Sequence, residues 1–540
     1  MRVTNHNAKR FTILLIALTS LFRLFMAAWT GLGTGESYYF RGAKFLDLSY
    51  FDQPPLFFWL SGASIRLFGE TAFALRLPTV LLFAGTCWML YVLGKRFYNA
   101  RAGFYAVVAI NMCAVFTISI GMWFQPDSPL MFFWLLCTWC LVQVLFPQKR
   151  VVDVITYRKS GYVYLWWGLV GVTMGLTTLS KYHVVFLLAG VFLFALTRKS
   201  HRHWLWHPGP YLALIINFAI ATPVFLWNAE HDWVSFVFQA SRAGKNEAVL
   251  HFDWVLRSIG GQALWLLPWV WVPLVFQLPR IFKKGKHDLR SWFLFWIAVL
   301  PIVVFTIIPL WSNLQFHFHW QAPGYLMLFL PLGAQIAKNL DSIGKWKLRT
   351  RNWLYTSAAV TFLCFTVLTV HMTTGVWSSY GPKWFAGLFG EKIDPTIDGT
   401  DFDNIRIRFE EEGWLADTNI FVASPRWWMA GKTDWALRAK KEVVILHRDP
   451  RNFAFFIDPR KSLGKDAIII GRGHWDTVQG DMAGFFDEVK QLDDIWITRA
   501  GVKELPLEVY YAKNFHVPDP PMDWIPVYWQ LKGEHPFIRK

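Results

Sequence analysis

About eleven apolar runs, each close to the roughly 20 residues needed to cross a hydrocarbon layer of about 30 Å, follow one another between residues 11 and 372. They lie near 11–29, 77–94, 102–120, 129–147, 162–179, 184–198, 210–228, 257–279, 291–309, 323–338 and 353–372. Lipid cannot hydrogen-bond a bare backbone, so runs of this length must be helices. With 54% hydrophobic and 17% charged residues, the chain reads as a polytopic α-helical membrane protein. Arg2, Lys9 and Arg10 precede the first run as they would in a signal peptide. That run is long enough to span and has no small-x-small cleavage site, so it is expected to remain as a first helix with its N-terminus in the cytoplasm.

A formal charge of +17 also suits a nucleic-acid binder, and the distribution of charge decides between the two readings. Residues 1–374 hold 32 of the 54 Lys and Arg but 12 of the 37 Asp and Glu. About 23 of those cations fall in the N-terminal tail and the connections 95–101, 147–161, 198–209, 280–290 and 338–352, against about eight in the alternate connections. The bias orients the bundle, and no nucleic acid is needed to explain the charge. Asp153, Asp288 and Asp341 then lie inside, whereas Glu36, Asp47, Asp52, Glu70, Asp127, Glu230, Asp232, Glu247 and Asp253 lie outside. Any chemistry therefore faces the periplasm or exterior of an inner (cytoplasmic) membrane. All five cysteines sit in apolar runs, and Cys137-x-x-Cys140 reads as a pair of small packing residues.

Two domains are expected: residues 1–374, with an amphipathic outer loop over 30–76, and a soluble α/β domain over 375–540. In the second, β-like runs at 420–423, 443–447, 467–471, 495–499 and 507–511 alternate with helix-like stretches at 427–439 and 483–491. It has no Gly-rich phosphate loop and is assigned no catalysis.

The stretch Gly35–Leu56, GESYYFRGAKFLDLSYFDQPPL, combines carboxylates, paired tyrosines, cations and a Pro-Pro break in a domain otherwise dominated by apolar residues. The helix-like parts of the loop 30–76, at 37–48 and 56–67, carry aromatic faces suited to the membrane interface and are separated by Pro54 and Pro55. Glu36 has the chemistry of a general base at the start of an outer loop; it could equally be a solvated or capping carboxylate. Asp52, before the Pro-Pro stop, reads as an aimed carboxylate or an Asx-turn residue. Asp127 in QPDSPL is placed to cap the helix that follows and shares the outer face with Glu36 and Asp52. Lys181, Tyr182 and His183 form a polar triplet between two spans, where the lysine either snorkels or meets a phosphate as a point charge. His317 and His319 alternate with aromatics in a further outer loop, the pattern of interfacial packing and a weak one for a metal.

The succession GESYYF, YFDQPPL, RLP, QPDSPL, LSKYH, PGPYLAL, LWNAEHDW and HWQAPGYL resembles bacterial membrane glycosyltransferases of the dolichyl-phosphate-mannose protein mannosyltransferase type, relatives of the lipid A aminoarabinose transferases. The resemblance implies a GT-C-like bundle of about 11 spans. It also implies inverting transfer of a sugar from a polyprenyl-phosphate donor to lipid A, another envelope glycan or a protein. Members usually open the first loop with Asp-Glu, where this chain has Gly35-Glu36, and carry His or Lys at the position of Gln53. On this basis Glu36, Asp52 and Asp127 are the expected catalytic residues, with Asp127 positioning the acceptor or a divalent metal ion. Lys181, Arg76, His319 and Tyr182 are expected at the donor phosphate, and Tyr38, Tyr39, Gln53, His183 and His317 at the substrates. The alternatives are a non-catalytic member that binds lipid-linked sugar or a partner enzyme, and a transporter. For the last, intramembrane charge is expected, yet the spans hold almost none besides Arg23.

Overall fold

The computed structural model describes residues 3–147, 157–158, 160–243, 250–312, 317, 319–376, 394–447, 449–473, 478 and 482–518. Among these, seven helices are long and apolar enough to cross a membrane: Ala8–Trp29 (α1), Ala72–Phe97 (α4), Asp127–Leu145 (α6), Gly161–Ser180 (α7), Pro208–Glu230 (α9), the run Leu289–Leu310 beginning with Leu289–Ile307 (α14), and Lys345–Thr374 (α16). An eighth results if Phe252–Leu266 (α11) and the stretch Pro268–Gly285, bent by 111°, count as one span. Along α1, Ile13, Leu14, Leu18, Leu21, Phe25 and Trp29 are at least half exposed, a surface that only lipid or another apolar partner covers at low cost.

The difference from about eleven has local causes. The run at 102–120 breaks: Ala100–Asn111 (α5) stops and a π-helical turn follows at Val115–Ser119. The helix at Val184–Thr197 (α8) has only 14 residues. The run at 257–279 turns sharply at Leu267, which takes φ 66° just before Pro268. Arg23 spans the break after α5, donating to Thr117 O at 3.2 Å and Asn111 Oδ1 at 2.8 Å, so its charge is met by dipoles released from helix geometry.

The outer segment forms Thr34–Lys44 (α2) and Leu56–Phe68 (α3). Helix α2, expected to turn its aromatic face to the membrane interface, buries much of it in protein. Its Tyr38, Phe40 and Arg41 are buried, and it packs on Trp427–Ala436 (α18) of the C-terminal region. A Cβ on Gly431 would come within 2.7 Å of Tyr38 Cα, so this close approach requires glycine. Arg41 pairs with the fully buried Asp434 across the same contact.

The C-terminal sheet has the order β2-β1-β3-β5-β4, from Ile420–Ser424 (β1), Val443–Ile445 (β2), Asp466–Gly471 (β3), Phe486–Arg499 (β4) and Val502–Phe515 (β5). The first three strands are parallel, and β5 joins β3 antiparallel. The helix expected at 483–491 is instead a short 3-10 turn running into β4. The hairpin partner β5 decides this, through the tight turn at Ala500 and Gly501, both with positive φ.

Candidate active site

A cavity of about 680 Å³ opens at one end of the bundle, where the helices meet α2 and the C-terminal region. Its walls include Gly35, Tyr39, Asp52, Gln53, Asp127, Lys181, His317 and His319. Most of the expected site residues therefore converge, although they are spread over almost three hundred residues of sequence.

Asp52 is 4% exposed. Tyr38 donates its hydroxyl hydrogen to Asp52 Oδ2 at 3.1 Å, while Oδ1 is buried with no hydrogen-bond partner among the described residues. Burial pushes the Asp52 carboxyl up to about 6, with Arg451 and the Tyr38 hydrogen bond opposing the rise. Tyr38 is itself fixed, accepting from Asn452 N at 3.1 Å. It stands behind Asp52 and off the cavity wall, whereas substrate contact was expected of it.

Asp127 is the first residue of α6 and makes no capping hydrogen bond, so the expected cap is not formed. Lys181, extended at the end of α7, instead donates to both carboxylate oxygens at 2.9 and 3.0 Å. His319 Nε2 is 4.0 Å from the same carboxylate. Burial lowers His319 to about 4, against the opposing charge of Asp127 and with help from Lys181 and Arg242, so at neutral pH the imidazole is uncharged. The donor set does not fit a divalent ion: the Asp127 charge is already balanced by an ammonium, and among the described residues no three His, Cys, Asp or Glu converge.

Glu36 and Arg76 are corrections. Glu36 Oε1 accepts from Arg76 Nε at 2.7 Å and Phe124 N at 2.8 Å; Oε2 accepts from Arg76 Nη2 at 2.5 Å and Gly33 N at 3.0 Å. Arg76 spends its other hydrogens on Thr30 O, Thr30 Oγ1, Gly31 O and Ala27 O. Both side chains are at most 2% exposed and neither reaches the cavity, so the pair locks α1, α2 and α4 together and leaves no group free for a proton or a phosphate. Tyr182 and His183 also miss the cavity. Tyr182 packs on Phe236 with ring centres 5.4 Å apart, and His183 stacks on Phe305 at 4.7 Å.

The structure adds residues that sequence reasoning passed over. Arg242, in Val234–Ala243 (α10), lies over the rings of Phe238 and Trp320 at 5.3 and 5.2 Å and reaches His317 Nε2 at 3.4 Å. Arg451 comes from the C-terminal region that was expected to contribute no chemistry. It sits 4.1 Å over the Trp427 ring, donates to Asp449 Oδ2 at 3.2 Å, and holds φ 47°, a conformation costly for a non-glycine residue. Two guanidiniums facing one cavity repel each other unless an anion lies between them. A cation beside aromatics in an outer loop (FVFQASR) was the available signal for Arg242; Arg451 had none.

Fold and site together define a membrane-type helical bundle with a carboxylate-and-cation cavity at one end. The family described as dolichyl-phosphate-mannose-protein mannosyltransferase matches residues 52–227. The chain is 23% identical over 306 residues to the lipid A galacturonosyltransferase RgtD of Rhizobium johnstonii, covering 55% of this chain and 60% of that one. It is 22% identical over 277 residues to the undecaprenyl phosphate-alpha-4-amino-4-deoxy-L-arabinose arabinosyl transferase of Erwinia tasmaniensis, covering 49% and 46%. These alignments span about half of the curated relatives' lengths. The crystal structure of ArnT from Cupriavidus metallidurans bound to undecaprenyl phosphate superposes with TM-score 0.61 and 12% identity over 92% of this chain and 97% of that one. The chain has the fold of that crystal structure, and its sequence is similar to these transferases over about half of its length.

Proposed function

We propose that the protein is an inverting glycosyltransferase of the cytoplasmic membrane. In this reading it takes a sugar from a polyprenyl-phosphate carrier and passes it to an outer-face acceptor: lipid A or other lipopolysaccharide, another glycan or a protein. The observation that carries this reading is Asp52 Oδ1, a buried carboxylate oxygen without a partner among the described residues, on a wall shared with Lys181, Arg242 and Arg451. The named activities of the relatives and the lipid phosphate bound in the ArnT crystal structure support it.

In this mechanism the acceptor hydroxyl donates its proton to Asp52 Oδ1 as its oxygen attacks the anomeric carbon. The bond from that carbon to the phosphate oxygen breaks on the opposite face, and its electron pair leaves with the polyprenyl phosphate. One displacement inverts the centre. A base titrating near 6 is ionised at neutral pH yet basic enough to receive the proton. Arg242 and Arg451 meet the charge that grows on the departing phosphate, and the Asp127–Lys181 pair holds a third cation beside them. Tyr39 and Gln53, joined at 3.4 Å, and the neutral His317 and His319 border the sugar.

Residues 1–374 form the transferase bundle and 375–540 an extracytoplasmic domain. The broken helix after Ala100, α8, the bent pair and Ala322–Asp341 (α15) complete the about eleven crossings. The test is transfer of label from a panel of polyprenyl-phosphate sugars to an envelope fraction, using purified wild type and Asp52→Asn. Wild-type transfer lost in the variant is the expected result. Unchanged turnover in Asp52→Asn, or donor binding without transfer from any sugar, overturns it.

A further inference from the structure

At the opposite end of the bundle lies a second groove, about 1000 Å³ in volume and unconnected with the chemistry above. Helix α15 starts beside the catalytic cavity, two residues after Trp320, and its 20 residues carry it about 30 Å away. The groove runs between its last turns, the first turns of α16, and the bent stretch Pro268–Val275 (α12) and Gln277–Gly285 (α13). Val272, Phe276, Leu332, Ile336 and Trp353 make its apolar floor. Arg280, Lys338 and Arg349 stand exposed along its rim, and no lining residue is acidic. The nearest acid along α15, Asp341, is held by Arg101 at 2.5 Å. Trp269 Nε1, on the groove wall, is a buried donor with no hydrogen-bond partner among the described residues.

We propose that this groove is a binding site for an anionic glycerophospholipid of the leaflet opposite the catalytic cavity. The charge on the page selects this occupant. Three cations without a carboxylate in ion-pair range among the described residues match a phosphodiester bearing net negative charge. The apolar floor continuing into the bundle wall, where Val272 and Phe276 are about half exposed, takes the start of an acyl chain. Trp269 and Trp346 belong at the depth of the glycerol backbone, where indoles with one polar edge settle. A zwitterionic lipid brings its own cation into the rim, and a soluble phosphate ester lacks the chain that the floor would cover.

The test uses the full-length protein, delipidated in a neutral detergent and titrated with phosphatidylglycerol, phosphatidylcholine or glycerol 3-phosphate, with retained adducts counted by native mass spectrometry. Phosphatidylglycerol is expected to be retained on the order of 10-fold more strongly than phosphatidylcholine, and glycerol 3-phosphate not at all. The triple variant Arg280→Gln, Lys338→Gln, Arg349→Gln, altered only at exposed positions, is expected to lose that preference. Arg242→Gln with Arg451→Gln, changed in the other cavity, is expected to keep it. Equal retention of the two lipids by the wild type, or an undiminished preference in the triple variant, overturns the proposal. A preference abolished only by the Arg242 and Arg451 changes assigns the lipid to the catalytic cavity and overturns it as well.

Discussion

Glu36 and Asp52 come from the same outer segment, lie on the same side of the bundle and are 2% and 4% exposed. Their surroundings differ in one respect. Glu36 receives four hydrogen bonds, two from one guanidinium, whereas Asp52 receives one to its Oδ2 and leaves the other side-chain oxygen bare beside a cavity. Burial alone therefore does not separate a structural carboxylate from a chemical one. Saturation does, because a carboxylate with all its partners has no lone pair left for a proton in flight.

The largest expected effect that tests this contrast is on turnover. Asp52→Asn keeps the shape and the Tyr38 contact but removes the base, and should lower kcat by about 10²–10⁴-fold while thermal unfolding in detergent stays near wild type. Glu36→Gln should do the reverse. It leaves Arg76 buried without its counter-charge, at a cost of about 3–5 kcal/mol, visible as a lower unfolding temperature and poor yield, with folded molecules keeping activity within a few-fold. If instead Glu36→Gln folds normally and loses turnover, the two residues exchange roles.

Smaller effects sharpen the comparison. Activity should fall as pH drops through about 6, because the ionised form of Asp52 is the base and its titration is raised. Tyr38→Phe should move that limb upward, since the lost hydrogen bond favours the ionised carboxylate; a kcat/KM profile reads both. Gly35→Ala should change least. A Cβ there meets nothing within 4 Å and enters a helical turn, so stability should alter by less than about 1 kcal/mol in a melting assay.

Periodicity and length made most of the bundle legible, because lipid forces long apolar runs into helices. The parallel strands were legible for a similar reason: IFVAS, VVI and DAIIIG are short runs buried on nearly every residue. The long hairpin was legible only in part: the runs at 495–499 and 507–511 fall within β4 and β5, but the start of β4 read as a helix because it alternates charge and apolar residues loosely and takes its form from β5. In the site, Asp127 and Lys181 stood out as polar residues at the ends of apolar runs. Their pairing across 54 residues did not, nor did that of Glu36 with Arg76 across 40. Which acid is neutralised and which is left open is settled by partners that local pattern cannot reveal. Arg451 shows the limit most plainly, because its neighbours along the chain give no hint of a shared cavity with Asp52, 399 residues upstream.

The seat of α2 on α18 sets a schedule for biogenesis. Arg41 meets Asp434 across 393 residues, Phe51 meets Asn452 across 401, and Tyr38 meets Asn452 across 414. A ribosome adding about 5–20 residues per second needs roughly 20–80 s to deliver those partners. During that interval the nascent chain has inserted its early helices but carries an outer segment whose arginine and tyrosines still lack their contacts. The Asp52 wall is therefore completed among the last events of synthesis, and a chain interrupted before residue 452 has the bundle's early spans without a finished cavity.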